Sequence, residues 1–219
     1  MSKTAESLSK GLDILMKNPI LLTPYAVPII IQWIFNALAR LFPLRYYIIE
    51  IPNPSIDLFG SFIAAILGFI AACMLVDMAN DAFSGRKIDL SNSLSFVINR
   101  IWTLIFTAVI AALCCITIIL LPIAIFIIVI AIIEGLSVIE SAKRTFDFVL
   151  SNLREVIIFV VVVVVIEVMF SYGFSVIPII GPYIEAIISW LLNAVFTVSA
   201  VYFYLSLRPS SPPPPAPTL

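Results

Sequence analysis

The chain has 219 residues, 62% hydrophobic and 11% charged, with a mean hydropathy of +1.17 and a net charge of −1. A soluble domain carries roughly 25% charged residues, so a soluble globule, a disordered chain and a disulfide-stapled secreted module are excluded. No histidine occurs, which removes His-ligated metal sites, Ser-His and Cys-His nucleophile pairs and histidine pH sensors. The fold class expected is an all-α polytopic membrane protein.

In chain order, apolar runs place membrane spans at about 20–38 and 58–78, within 101–133, and at 156–177 and 183–207. The long run Ile101–Ile133 would be about 50 Å as one helix, too long for one crossing and short for two. Pro122 near its middle can open a second helix, giving spans at 101–118 and 122–139. Charge bias favours this division. With six spans, 10 of the 12 basic residues share the side of both termini, and only Arg40 and Arg45 lie opposite. The positive-inside rule then predicts a multi-pass protein of the cell membrane with cytoplasmic N- and C-termini. The first span is expected to be retained rather than cleaved after Ala37-Leu38-Ala39, and Pro24 and Pro28 are expected to kink it. Residues 1–208 form one membrane domain, and 209–219 read as a Pro-rich flexible tail.

Three spans are preceded by short amphipathic segments, 7–18, 90–100 and 141–152. Their apolar stripes are Leu8, Leu12, Leu15, Met16; Leu90, Leu94, Val97, Ile98; and Ala142, Phe146, Val149, Leu150. A fixed offset aligns the first with the third, pairing Glu6 with Glu140, Ser7 with Ser141, Lys10 with Arg144, Asp13 with Asp147 and Asn18 with Asn152. The middle segment fits that alignment poorly. The order helix, span, span recurs three times, which predicts three hairpins, each entered through an inner-interface helix.

The stretch Gly85-Arg86-Lys87-Ile88-Asp89-Leu90, leading to Ser93-Leu94, is one distinctive block. A second is Ile133-Glu134-Gly135-Leu136-Ser137, leading into Glu140-Ser141-Ala142-Lys143-Arg144. Over roughly residues 5–208 these blocks resemble a broad prokaryotic group of six-span membrane proteins. That group includes the membrane domain attached to some glycerophosphodiester phosphodiesterases, and most of its members have no assigned activity. The resemblance implies six spans with amphipathic segments before spans one, three and five. In those relatives the catalytic residues lie in a separate soluble domain, so the resemblance implies no phosphodiesterase activity and carries no residue role across.

Polar residues within the spans are the candidate functional groups. Glu167 and Asn193 fall close to the midplane, and Gln32 and Glu134 within several ångströms of it, which makes a candidate polar or ion site. The alternative is polar glue between helices, worth on the order of 0.6–2 kcal/mol per contact. Asp77 and Asp81, one turn apart at the inner interface, read as helix-end residues rather than a metal pair. Lys10, Lys17, Arg86, Lys87, Lys143, Arg144 and Arg154 are candidate contacts for anionic lipid headgroups. Cys73, Cys114 and Cys115 read as small apolar packing residues. No catalytic residue, metal or cofactor is expected. Expected partners are membrane lipids, with other membrane proteins or further copies of the chain, and no nucleic acid. The function expected is therefore an accessory, scaffold or lipid-organising membrane component without enzymatic activity. A small transporter or channel built around Glu167 is the alternative.

Overall fold

The computed structural model describes residues 2–46, 49–116, 120–175 and 181–208, without the side chains of 45, 46, 49, 50, 171, 174, 175 and 181–186. The Pro-rich segment 209–219 lies outside the described residues. Nine helices are described: α1 (Lys3–Lys17), α2 (Thr23–Leu41), α3 (Pro54–Phe83), α4 (Leu90–Asn99), α5 (Ile101–Cys115), α6 (Leu121–Ile133), α7 (Val138–Ser151), α8 (Leu153–Ser175) and α9 (Gly181–Leu207). A 3-10 turn, Pro19–Leu22, precedes α2. Between α2 and α3 lies an antiparallel ribbon of β1 (Leu44–Tyr46) and β2 (Ile49–Ile51), with Leu44 opposite Ile51. The sequence had given no sign of it, because three-residue strands are too short to display a period.

Among the described residues, three segments are long and apolar enough to cross a membrane: Pro19–Leu41, Pro54–Phe83 and Ile187–Leu207. They mark a membrane protein. Helices α4 and α5, divided by a 74° bend, pass the same test only jointly and would be a fourth if counted as one span. The run 101–133 is two helices, and α6 opens with Pro122 in its first turn as expected. Pro24 does not interrupt α2. It sits in the first turn, where its missing N–H has no partner to lose. Pro28 lies inside the helix, which continues to Leu41.

Local signals explain most helix boundaries. Ser2 and Asp89 cap the first turns of α1 and α4 by accepting backbone N–H bonds. Ser137 and Glu140 form a capping box at α7. Gly135, at φ +65°, supplies the left-handed turn that ends α6.

We call the end carrying α1, α4 and α7 inner, and the opposite end outer. The core lies toward the inner end and is centred on α6. Helix α6 is apolar all round and buried along most of its length. The Phe126 ring lies 5.4 Å from Phe148, 5.8 Å from Phe159 and 5.6 Å from Phe203, centroid to centroid. Tyr204 packs on Phe148 at 5.0 Å, and Phe159 on Phe203 at 4.7 Å. Offset and edge contacts of this kind add to simple area burial.

The amphipathic helices turn only part of their apolar stripes to the bundle, Leu8 and Leu15, Leu90 and Val97, and Ala142 and Val149. α1 buries Thr4, Ser7, Gly11 and Leu15, leaving Leu12 and Met16 exposed. α7 buries Ser141, Thr145, Phe148 and Val149, leaving Phe146 and Leu150 exposed. α4 buries Ser93 and Val97, leaving Leu94 and Ile98 exposed. In each, a buried serine meets the bundle beside larger apolar residues (Leu15, Val97, Phe148 and Val149), while other large apolar residues point outward. Small residues allow close helix approach, which is the rule for packing within membranes. At Gly11 the fit is tight: a Cβ there would lie 2.2 Å from Ser199 Oγ on α9.

Equivalent positions make equivalent bonds. Ser7 Oγ donates to the Lys3 carbonyl at 2.8 Å and Ser141 Oγ to the Ser137 carbonyl at 2.7 Å. The Asn18 amide donates to Ile14 O at 3.1 Å and the Asn152 amide to Phe148 O at 3.0 Å. Ser93 is buried like Ser7 and Ser141, although its hydroxyl turns to Asp77 Oδ2 at 2.6 Å.

Candidate functional site

The four midplane candidates separate into three places. Gln32 belongs to the α2–α3 crossing, where its amide donates to Asn36 Oδ1 at 2.9 Å and Ser61 Oγ at 3.2 Å. That is interhelical polar glue.

Glu134 sits at the inner end of α6 as its C-cap, away from Glu167. The Arg144 guanidinium approaches it from α7, with Nε 3.2 Å from Oε2, and the Tyr204 hydroxyl of α9 donates to its Oε1. The Glu134 carboxylate holds the Arg144 pKa above its ordinary value, chiefly through that hydrogen bond. Arg100, at the α4–α5 junction, donates to Ala131 O at 3.3 Å and Leu136 O at 2.5 Å. Three basic or hydroxyl side chains from separate elements thus close the inner end of α6. A helix C-terminus attracts cations, so Arg100 is favourably placed there. Sequence depth had put Glu134 higher because span four was taken to run from 122 to 139, whereas α6 stops at Ile133.

Glu167 and Asn193 are brought together. Both line a cavity of about 320 Å³ between α3, α6, α8 and α9, whose other walls include Phe69, Cys73, Val164, Phe196 and Thr197. Glu167 is half-buried and makes no hydrogen bond or ion pair among the described residues. Asn193 is exposed and uses its amide N–H on Ser189 O at 2.9 Å, which leaves its side-chain oxygen directed elsewhere.

The basic candidates lie around the inner end. Lys10, Lys17, Arg86, Lys87, Lys143 and Arg154 are exposed, while Arg144 is half-buried. Lys17 pairs with Asp13 at 2.9 Å and Arg86 with Asp81 at 2.7 Å. Among the described residues, Lys10, Lys87, Lys143 and Arg154 form no ion pair. A further contact escaped sequence reasoning: the Tyr202 hydroxyl of α9 donates to Glu6 Oε1 at 2.7 Å, tying α1 to α9. Only the burial of the Ser7 face, which turns Glu6 toward α9, makes that pairing visible. Among the described residues, no group of three or more acidic or cysteine side chains is arranged to hold a metal.

No family model, no curated protein and no solved structure matches the chain.

Proposed function

We propose that the chain is a non-enzymatic multi-pass protein of a prokaryotic cell membrane, an accessory or lipid-organising component. Its six membrane helices pair as three hairpins, α2–α3, α5–α6 and α8–α9, with both termini on the cytoplasmic side. The observation that carries this reading is the common build of α1, α4 and α7. Each buries a serine against the bundle and leaves at least two large apolar residues exposed, beside or near exposed lysines and arginines. Such helices bind a bilayer surface by apolar insertion plus attraction to anionic headgroups. The resemblance to the six-span group agrees with this arrangement.

The test is extraction in native lipid followed by native mass spectrometry and lipid analysis. Replacing Lys10, Lys87, Lys143 and Arg154 together with Gln is expected to reduce retained anionic lipid several-fold. Unchanged lipid retention would overturn the headgroup reading. A second protein at fixed stoichiometry would identify the assembly that the chain serves. The second reading, a small transporter or channel, draws on the shared cavity of Glu167 and Asn193. It predicts a flux in reconstituted vesicles that Glu167→Gln abolishes.

A further inference from the structure

Helices α1 and α7 correspond residue by residue, yet an exposed ion pair on α1 is missing from α7. Asp13 on α1 is paired with Lys17 one turn on, at 2.9 Å. The corresponding residues of α7 are Asp147 and Ser151, so the acid is kept and its lysine is replaced by a short hydroxyl. Arg144 does not stand in for that lysine, because its guanidinium is turned to Glu134, with Nε 3.2 Å from Oε2. Lys143, Arg154 and Arg208, the other bases nearby in the chain, are exposed and form no ion pair with Asp147. Among the described residues the Asp147 carboxylate therefore accepts no hydrogen bond and has no cation.

The two helices also sit differently. α1 lies along α9, whereas α7 lies chiefly along α6 and meets α9 through the Phe148 and Tyr204 rings. Between α7 and the inner end of α9 this leaves a cleft of about 230 Å³, room for about eight water-sized groups. One face of α7 lines it with Arg144, Asp147, Phe148 and Ser151, and Asn152 and Tyr204 help to close it. Its polar groups are of two kinds. The bonds to Glu134 use Nε and Nη2 of Arg144, so Nη1 keeps its N–H donors, and the Ser151 hydroxyl adds another. Asp147 supplies a free carboxylate, and Asn152, whose amide N–H is held by Phe148 O, has its side-chain oxygen left as an acceptor. Arg144 and Asp147 stand three residues apart on one helix face, about 5–6 Å between Cβ atoms.

We propose that this cleft binds the headgroup of a phosphoethanolamine lipid from the inner leaflet. Arg144 and Ser151 hold the phosphate, and Asp147 and Asn152 hold the ammonium. A two-carbon tether joins the two charges of such a headgroup, which suits the spacing of Arg144 and Asp147. Charge decides the class of ligand. Arg144 is already balanced by Glu134, so the cleft carries the unbalanced charge of Asp147. That charge repels a purely anionic headgroup and attracts one that includes an ammonium. A trimethylated ammonium has no N–H to give Asp147 and Asn152, so a primary amine is preferred. Leu150 and Leu153, close by in the chain, are exposed and offer apolar surface for acyl chains, which favours a lipid over a free phosphodiester. The inference rests on the membrane reading and adds a second headgroup class, at a place apart from Lys10, Lys87, Lys143 and Arg154.

The experiment uses full-length protein in nanodiscs of equal parts phosphatidylethanolamine, phosphatidylglycerol and phosphatidylcholine, released into mild detergent for native mass spectrometry. Retention of phosphatidylethanolamine about fivefold above either competitor is expected. D147N should remove that preference. So should S151K, which restores on α7 the lysine that pairs with the acid on α1. Both positions are exposed, and an unchanged size-exclusion peak and melting temperature show that the variants fold. In both, retained phosphatidylglycerol should not fall, so the two headgroup classes are read separately. No preference in the parent chain, or one that survives both D147N and S151K, overturns the site. Displacement by soluble glycerophosphoethanolamine as readily as by the intact lipid would assign the cleft to a free diester and overturn the lipid. Failure to enter nanodiscs would overturn the membrane reading and the site with it, whereas incorporation without selection overturns the site alone.

Discussion

The two halves of the bundle are built on different terms. The inner half contains the five-ring cluster of Phe126, Phe148, Phe159, Phe203 and Tyr204, a clamped α6 terminus and the buried serines Ser7, Ser93, Ser141 and Ser199. The outer half has exposed apolar faces on α3, α8 and α9, and from Glu167 and Asn193 a cavity runs down beside α6. Within one chain of nearly uniform hydrophobicity, order therefore follows the number of packed neighbours rather than apolar content. Leu191 and Phe126 are both large and apolar, yet one is 43% exposed and the other fully buried.

The largest effect should come from the ring cluster. Phe126→Ala is expected to cost about 3–5 kcal/mol, whereas Leu191→Ala should stay within about 0.5 kcal/mol. Thermal unfolding of the purified protein, followed by its native size-exclusion peak, checks the contrast; equal losses would remove the distinction between the halves. Next is the α1–α9 contact. Gly11→Ala forces a methyl group against Ser199, whose backbone nitrogen would be 3.0 Å from it, and should cost about 1–3 kcal/mol. Loss of amide protection confined to α1 would be the signature. Smaller still, Arg144→Gln and Tyr204→Phe should each cost about 1 kcal/mol, because Arg144 is partly exposed and its ion pair is screened. Both act on Glu134, so the double variant should be non-additive.

The smallest effect is on pH. The Glu6 carboxyl lies below its ordinary value of 4.5 because the Tyr202 hydroxyl donates to it and Lys3 is close by. The Glu140 carboxyl is lowered by the hydroxyl and backbone N–H of Ser137. A lowered carboxyl favours the folded state at neutral pH, and that contribution is lost as pH falls below 4.5 through the folded values. Amide protection in the first turns of α1 and α7 should decline there. Glu6→Gln and Glu140→Gln should make it insensitive to pH over the same interval.

Much of the helix plan was legible because apolar period and breakers act locally. The division of 101–133 at Pro122 and the amphipathic helices before α2, α5 and α8 follow from that. The packing face of those helices was not legible. Leu12 and Met16 of the apolar stripe of α1 stay exposed, and the face of Ser7, Gly11 and Leu15 packs instead. The likeness of Ser93 to Ser7 was hidden for the same reason, since only burial distinguishes it from other surface serines. Of the candidate site, the similar depth of Glu167 and Asn193, which line one cavity, was visible from depth arithmetic. The separation of Glu134 and Gln32 was not, because it turns on where α6 stops and which way α2 faces.

The single residue between α7 and α8 has a mechanical consequence. Asn152 alone separates them, with its backbone N–H and its side-chain amide both fastened to Phe148 O. The two helices are consequently joined without a loop that could take up a change in the angle between them. Glu167 sits fifteen residues along α8 from Asn152, about 22 Å away, so that a change of about 10° in the junction would displace its carboxylate by about 4 Å.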